Sequence, residues 1–210
     1  MIGVSQIKGV DFVAVNTDAQ ALLTCLSTIK VQIGEELTKG LGSGGSPEIG
    51  RQAAEESVSK LEEHIRDADM IFITAGMGGG TGTGASPIIA EMAKKAGILT
   101  VAVVTKPFFF EGSRRASNAD DGIANLRDKV DTLIVIPNQK LLDSIDKQMT
   151  RIQAFRTADI VLSQGVQGIS DIITTPGLIN VDFADVKAVM KESGSALMGI
   201  GIASGESRAE

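Results

Sequence analysis

Ala75–Pro87 reads AGMGGGTGTGASP, with six glycines between Gly76 and Gly84. A tight turn needs one or two. The run before it, Met70–Ala75, is short and apolar and reads as a strand. The run after it, Gly84–Ala96, has apolar residues at helical spacing. A strand–glycine loop–helix junction turns backbone N–H groups toward one point, and the helix N-terminus adds about half a positive charge there. Glycine matters because a Cβ would hold an anion off the backbone. Thr81 and Thr83 add hydroxyl donors, and the stretch reads as a phosphate loop. It is not of the Walker type, since no Gly-Lys pair occurs in the chain.

A dinucleotide pattern, G-x-G-x-x-G, occurs once, at Gly40, Gly42 and Gly45. It follows Gly34–Lys39 rather than a strand, and a Rossmann oxidoreductase would need LTKG to end one, which it does poorly. Ser46-Pro47 looks like an N-cap and first residue of a helix. GLGSGGSP is therefore read as a second loop near the ligand, with Gly44 and Gly45 as binding candidates; a plain surface turn is the alternative.

Outward from these loops, Val10–Val15, Ile98–Thr105 and Thr132–Ile136 also read as buried strands. They are nearly continuous in hydrophobicity, as parallel strands covered on both faces should be. Pro47–Ala68, Arg114–Val130 and the more apolar Phe155–Ile173 have helical spacing. Strand–helix alternation of this kind means a parallel α/β sheet flanked by helices.

Composition excludes several classes. Twenty Lys+Arg against 26 Asp+Glu leave a net charge of −6, which disfavours nucleic acid as a partner. One cysteine, Cys25, and one histidine, His64, exclude a structural zinc site and an internal disulfide. Cys25 reads as a small core filler and His64 as a solvated surface group. No apolar run reaches the roughly 18 residues of a membrane span, and the opening MIGVSQIKGVDF does not read as a signal peptide. Such a chain is expected in a reducing, cytoplasmic compartment, without direct membrane insertion.

GGGTGTG followed by Ala-Ser-Pro resembles the phosphate-loop signature of the tubulin and FtsZ family of GTPases. VNTDAQAL at Val15–Leu22, VTKPFFFEGSRR at Val104–Arg115, DTLIVIPN at Asp131–Asn138, AFRTAD at Ala154–Asp159, QGVQGISDIIT at Gln164–Thr174 and PGLINVDFADV at Pro176–Val186 are similar to the bacterial FtsZ branch in order and spacing. The resemblance implies a Rossmann-like tubulin/FtsZ GTPase domain binding GTP or GDP, with Mg²⁺ on the phosphates and no dedicated metal ligands. In that family the loop carrying Gly78, Gly79, Gly80, Thr81, Gly82 and Thr83 wraps the phosphates. Thr105, Pro107, Glu111 and Arg115 line the ribose and phosphate side. Asn138 and Asp159 contact guanine with Phe155 stacking beside it. Phe108–Phe110 packs a loop against the ribose or joins the core. Asp18 approaches the sugar or a phosphate-side cation, or simply caps the helix that follows.

The resemblance also implies a split catalytic site. Asn180, Asp182 and Asp185 belong to a loop that completes the nucleotide site of the next subunit in a head-to-tail filament. Read without the family, Asp182 is an N-cap and Asp185 the third residue of a capping box. Family members open with a strand and a further glycine loop that are expected to be missing here. Residues 1–194 are then the GTPase domain lacking its first strand, and 195–210, with the strand-like Ala196–Ala203, the start of a truncated second domain. The implied role is GTP hydrolysis coupled to assembly of the cytokinetic ring in bacterial cell division, at midcell, with other division proteins as partners. The alternative is a non-catalytic fragment that caps intact filaments.

Overall fold

The computed structural model describes residues 10–143, 150–174 and 182–196. In chain order these form β1 (Val13–Asn16), α1 (Ala19–Leu23), β2 (Ile29–Gln32), α2 (Glu35–Thr38), α3 (Pro47–Glu56), α4 (Val58–Ile65), β3 (Met70–Gly76), α5 (Thr81–Lys95), β4 (Leu99–Lys106), a 3₁₀ turn (Phe109–Glu111), α6 (Ser113–Arg127), β5 (Thr132–Pro137), α7 (Asn138–Asp143), α8 (Arg151–Thr174), α9 (Phe183–Met190) and β6 (Gly194–Ala196). Every ladder is parallel, as the strand–helix alternation requires.

The central strand β4 explains the continuous apolar runs. Ala102 and Val104 enter one core with Leu133 of β5 and Ile123 and Leu126 of α6. Val101 and Val103 enter the opposite core with Ile134 and Ile136 of β5 and Val166 and Ile169 of α8. Full burial of one valine contributes about 1.5–3 kcal/mol, so successive residues of a single strand stabilise two layers at once.

The strands form two sheets, β1-β2 and β3-β4-β5-β6. Among the described residues no ladder joins β1 to β3. Between them lies a cleft of about 250 Å³, lined by residues 12–14 and 74–76 and by Asp159 and Leu162 of α8. The two sheets are held together instead by helices. Val31 of β2 and Ile33 pack with Ala53, Ala54, Leu61 and Ala85 of α3, α4 and α5. There α3 and α5 touch backbone to backbone. A Cβ on Gly84 would lie 2.0 Å from the Pro47 carbonyl oxygen, and one on Gly50 would lie 2.2 Å from the Gly80 oxygen.

Several details differ from the expectations. The long helix at Pro47–Ala68 breaks at Ser57, which leaves helical geometry (φ −106°, ψ 18°). Its hydroxyl accepts the Gly34 N–H at 2.9 Å, and Gly34 is left-handed. The helix after the glycine loop starts at Thr81, so TGTG is its first turn. Strand β2 (Ile29–Gln32) lies outside the apolar runs that read as strands. In α8, Phe155, Ile160 and Ile172 are exposed, whereas Ala154, Ala158, Val166 and Ile169 are buried. Cys25 is half-buried beside the cleft and not a core residue. His64 is exposed as expected. Of Ala196–Ala203, only Ala196 is described. It closes β6, which pairs with β5.

Two alanine substitutions test the α3–α5 contact against ordinary helix propensity. Gly84→Ala is expected to destabilise by about 3 kcal/mol through overpacking, a fall in Tm of roughly 6–12 °C. Gly168→Ala in α8 meets no atom within 4 Å and should stabilise by about 0.5–1 kcal/mol. Thermal melts followed by circular dichroism read both.

Candidate nucleotide-binding site

Strand β3 ends at Gly76 and α5 begins at Thr81 with no side chain capping its first turn. Helix α3 begins likewise: Ser46 is the N-cap, Pro47 follows, and no side-chain cap bond forms. The first N–H groups of both helices lack intrahelical partners. The two starts lie together, because a Cβ on Gly80 would stand 2.2 Å from Ser43 Oγ and 2.8 Å from Ser46 N. The second glycine loop is thus beside the first. Gly44 and Gly45 are left-handed and exposed, and Gly79 is half-buried; a Cβ on any of the three would meet nothing within 4 Å.

Hydroxyls stitch the loops together. Thr81 Oγ1 lies 2.7 Å from Thr17 Oγ1 and 3.1 Å from Ser43 Oγ. Thr17 has no exposed surface and Ser43 has 6%. Neither had been singled out, although Thr17 stands one residue before Asp18 and Ser43 lies inside GLGSGG. Thr83 turns inward, its Oγ1 accepting the Gly78 N–H at 2.8 Å. Gly78 itself is left-handed, and a Cβ there would stand 2.5 Å from the Arg115 carbonyl oxygen. Gly82 lies in the first turn of α5. Asp18 caps α1, accepting the Ala21 N–H at 3.0 Å, and bridges to Leu41 of the second loop.

On the other flank, Thr105 closes on the loop through its carbonyl, which accepts the Met77 N–H at 2.9 Å. Pro107 follows it, half-buried. Glu111 accepts the Phe108 N–H at 2.9 Å and pairs with Arg115 at 2.6 Å. Phe108 is buried and stacks on Phe110 at 4.9 Å. Phe155 stands edge-on to both, at 5.3 and 5.9 Å. Arg151 covers Phe110 at 5.3 Å. At the start of α3, Arg51 is taken up by Glu48 and Glu55. Its hydrogen bonds hold the Glu48 carboxyl below the usual carboxylate range. Asp159 is half-buried one turn beyond Phe155 on α8 and lines the cleft. Asn138 is 4% exposed, and among the described residues its Oδ1 is a buried side-chain atom without a hydrogen-bond partner. Such an orphan acceptor costs about 1–3 kcal/mol, so the position is suited to a donor brought by a ligand.

A profile described as Tubulin/FtsZ family, GTPase domain, matches residues 4–146. The chain belongs to the tubulin/FtsZ family. Its structure resembles a point mutant of FtsZ from M. jannaschii at 52% identity and TM-score 0.94, over 98% of this chain and 62% of that one. The empty FtsZ dimer of M. jannaschii matches at 52% and TM-score 0.88, over 91% and 56%. CetZ2 of Haloferax volcanii, a GTPγS-bound protofilament, shares the fold at 23% identity and TM-score 0.75, over 88% and 55%. The chain thus spans between 55% and 62% of the length of these relatives.

In this tubulin/FtsZ domain, Asp182 and Asp185 lie at the start of α9. Asp182 caps α9 and accepts the Asp185 N–H at 2.9 Å, and both are exposed. Asn180 lies outside the described residues. The structure brings Asp182 and Asp185 to one helix start, and their hydrogen bond is to each other and not to either glycine loop.

Removing the central hydroxyl tests the stitching of the two loops. Thr81→Val leaves the Thr17 hydroxyl buried without this partner. It should cost about 2 kcal/mol, roughly 4–8 °C in Tm, read by the same thermal melts.

Proposed function

We propose that this chain binds GTP where the two glycine loops meet and hydrolyses it as a subunit of a head-to-tail filament. The observation that carries the reading is the pair of uncapped helix starts, α3 and α5, set side by side across a contact too close for any Cβ. Two dipole ends and a set of free N–H groups at one spot suit a polyphosphate. Gly44, Gly45 and Gly79 leave open space beside the backbone for it, while Gly78, Gly80 and Gly82 shape the loop by close packing. Thr105, Pro107, Glu111 and Arg115 border the sugar.

The base end argues for guanine. Guanine offers adjacent N–H donors at N1 and N2, and the Asp159 carboxylate can accept both; adenine has no such pair. Asn138 Oδ1 is a further acceptor in want of a donor. Phe155, four residues before Asp159 on α8, shares its side of the helix. Among the described residues no cluster of acidic, His or Cys side chains is built to hold a metal. A Mg²⁺ ion would therefore ride on phosphate oxygens and water, where it neutralises charge.

Asp182 and Asp185 would act on a neighbour's nucleotide by orienting and polarising water toward the γ-phosphate, with Asn180 beside them. Positioning and electrostatics are most of what phosphoryl transfer requires. A head-to-tail contact is heterologous and so builds filaments. The FtsZ dimer and the CetZ2 protofilament are assemblies of relatives that support self-association. The biological role we assign is the cytokinetic ring of dividing bacteria, in the cytoplasm at midcell and together with other division proteins. We take 1–194 as the GTPase unit and 195–210 as the beginning of the next. Among the described residues no helix is long and apolar enough to cross a membrane. The exposure of Asp182 and Asp185, independent of the chain's own loops, favours one second reading: a fragment that offers this face to an intact filament and caps it.

Calorimetry with GTP and ATP in the presence of Mg²⁺ tests the proposal on the folded chain. GTP should bind in the micromolar range and ATP at least about 100-fold more weakly, a gap near 2.7 kcal/mol. Asp159→Asn should shrink that ratio about tenfold, the loss of one charge-assisted bond of roughly 1.4 kcal/mol. A folded chain that binds neither nucleotide, or both alike, overturns the reading.

A further inference from the structure

Asp131 is a carboxylate with 5% of its surface exposed, and Thr132 beside it has 1%. Among the described residues, their side-chain hydrogen bonds go to β4, to the end of α9 and to the turn after it. Asp131 Oδ2 accepts the Thr100 N–H at 2.9 Å, and Oδ1 accepts the Glu192 N–H at 3.4 Å. The Asp131 carbonyl accepts the Gly194 N–H at 3.0 Å. The Thr132 hydroxyl donates to the Met190 carbonyl at 2.7 Å; its one proton being used, it accepts from Ser193 Oγ at 2.8 Å. All but the Thr100 bond converge on the turn from α9 to β6, where Glu192 and Gly194 are left-handed (φ +54° and +76°). A buried carboxylate is costly unless its oxygens are hydrogen-bonded, and this one is bonded to backbone N–H groups of β4 and of that turn.

The opposite end of α9 carries Asp182 and Asp185. Both carboxylates are exposed, although Phe183 between them is half-buried; further along, Val186 is buried and Met190 packs against the β4–β5 core. Its eight residues span about 12 Å, so a tilt of about 10° at the held end moves Asp182 by roughly 2 Å and Asp185, nearer that end, by roughly 1 Å. A misplacement of about 1 Å can cost on the order of 100-fold in rate.

We infer that Asp131 and Thr132 are positioning residues: they clamp the C-terminal end of α9 to β5 and so set the aim of Asp182 and Asp185 at a neighbour's γ-phosphate. The inference rests on the proposed role of those two aspartates. It is tested on the full chain with Thr132→Val, with Thr132→Ser as the variant that keeps the hydroxyl, and with Asp131→Asn as a second way to weaken the clamp. Three quantities are read: GTP turnover against protein concentration, GTP affinity by calorimetry, and amide hydrogen exchange across 183–190.

Thr132→Val is expected to speed exchange in α9 by about tenfold. It should lower kcat by about tenfold or more, with GTP affinity within about twofold of the parent. Thr132→Ser should restore all of this, and Asp131→Asn should act like Thr132→Val. Parental kcat in a variant whose α9 exchanges faster overturns the inference and leaves the GTPase reading standing. Unchanged α9 exchange in both Thr132→Val and Asp131→Asn also overturns it. A parent chain that binds GTP yet turns none over at any concentration removes the catalytic role of Asp182 and Asp185, and with it the role assigned to the clamp. Faster α9 exchange in the variants would then identify a structural tie only.

Discussion

The contact between α3 and α5 governs the rest of the molecule. Three glycines, Gly50, Gly80 and Gly84, let the two helices meet at backbone distance. That one approach brings two uncapped helix starts side by side, sets Ser43 against Thr81, and ties the β1-β2 layer to the β3–β6 layer. Stability and ligand chemistry therefore draw on the same atoms. The glycines whose missing Cβ allows the helices to pack stand next to those whose missing Cβ leaves room for an anion.

Around this contact the site has two flanks of different character. The proposed phosphate flank is built from backbone and hydroxyls, with Thr17, Ser43 and Thr81 as its internal ties. The proposed base flank is built from side chains on α7 and α8 and on the segment after β4. There Glu111 joins the start of α6 to the Phe108–Phe110–Phe155 cluster through its two oxygens. Arg115 and Arg51 are each paired with acidic neighbours. Under the proposed reading, the helix ends are then the main source of positive potential on that flank.

Much of this was legible in the residues, for identifiable reasons. Strands β3, β4 and β5 fall within one residue of their expected ends, because burial on both faces forces an unbroken apolar run. The glycine loop was legible because few structural demands other than close approach require so many glycines together. Strand β2 was not, because IKVQ is four residues long with polar positions and, among the described residues, pairs with β1 alone. The break at Ser57 depends on a hydrogen bond to Gly34, 23 residues away, which no local pattern encodes. Side-chain direction was the least legible property. Thr83 turns into the loop and Phe155 packs edge-on to two other phenylalanines. Asp18 and Asp182 show the same limit, since an aspartate that caps a helix and one that serves a ligand occupy the same kind of position in sequence.

The interruption between β1 and β3 has a mechanical side. No backbone ladder crosses it among the described residues. Load passing from one layer to the other runs through the glycine seam, the apolar cluster behind it, and Val10 and Phe12, which pack against the β4–β5 core. Close-packed atoms resist compression steeply, whereas dispersion contacts give way over a fraction of an ångström when pulled apart. The joint is therefore stiff when the layers are pressed together and compliant when they are drawn apart, with the Thr17–Thr81–Ser43 hydroxyls as its few directional ties.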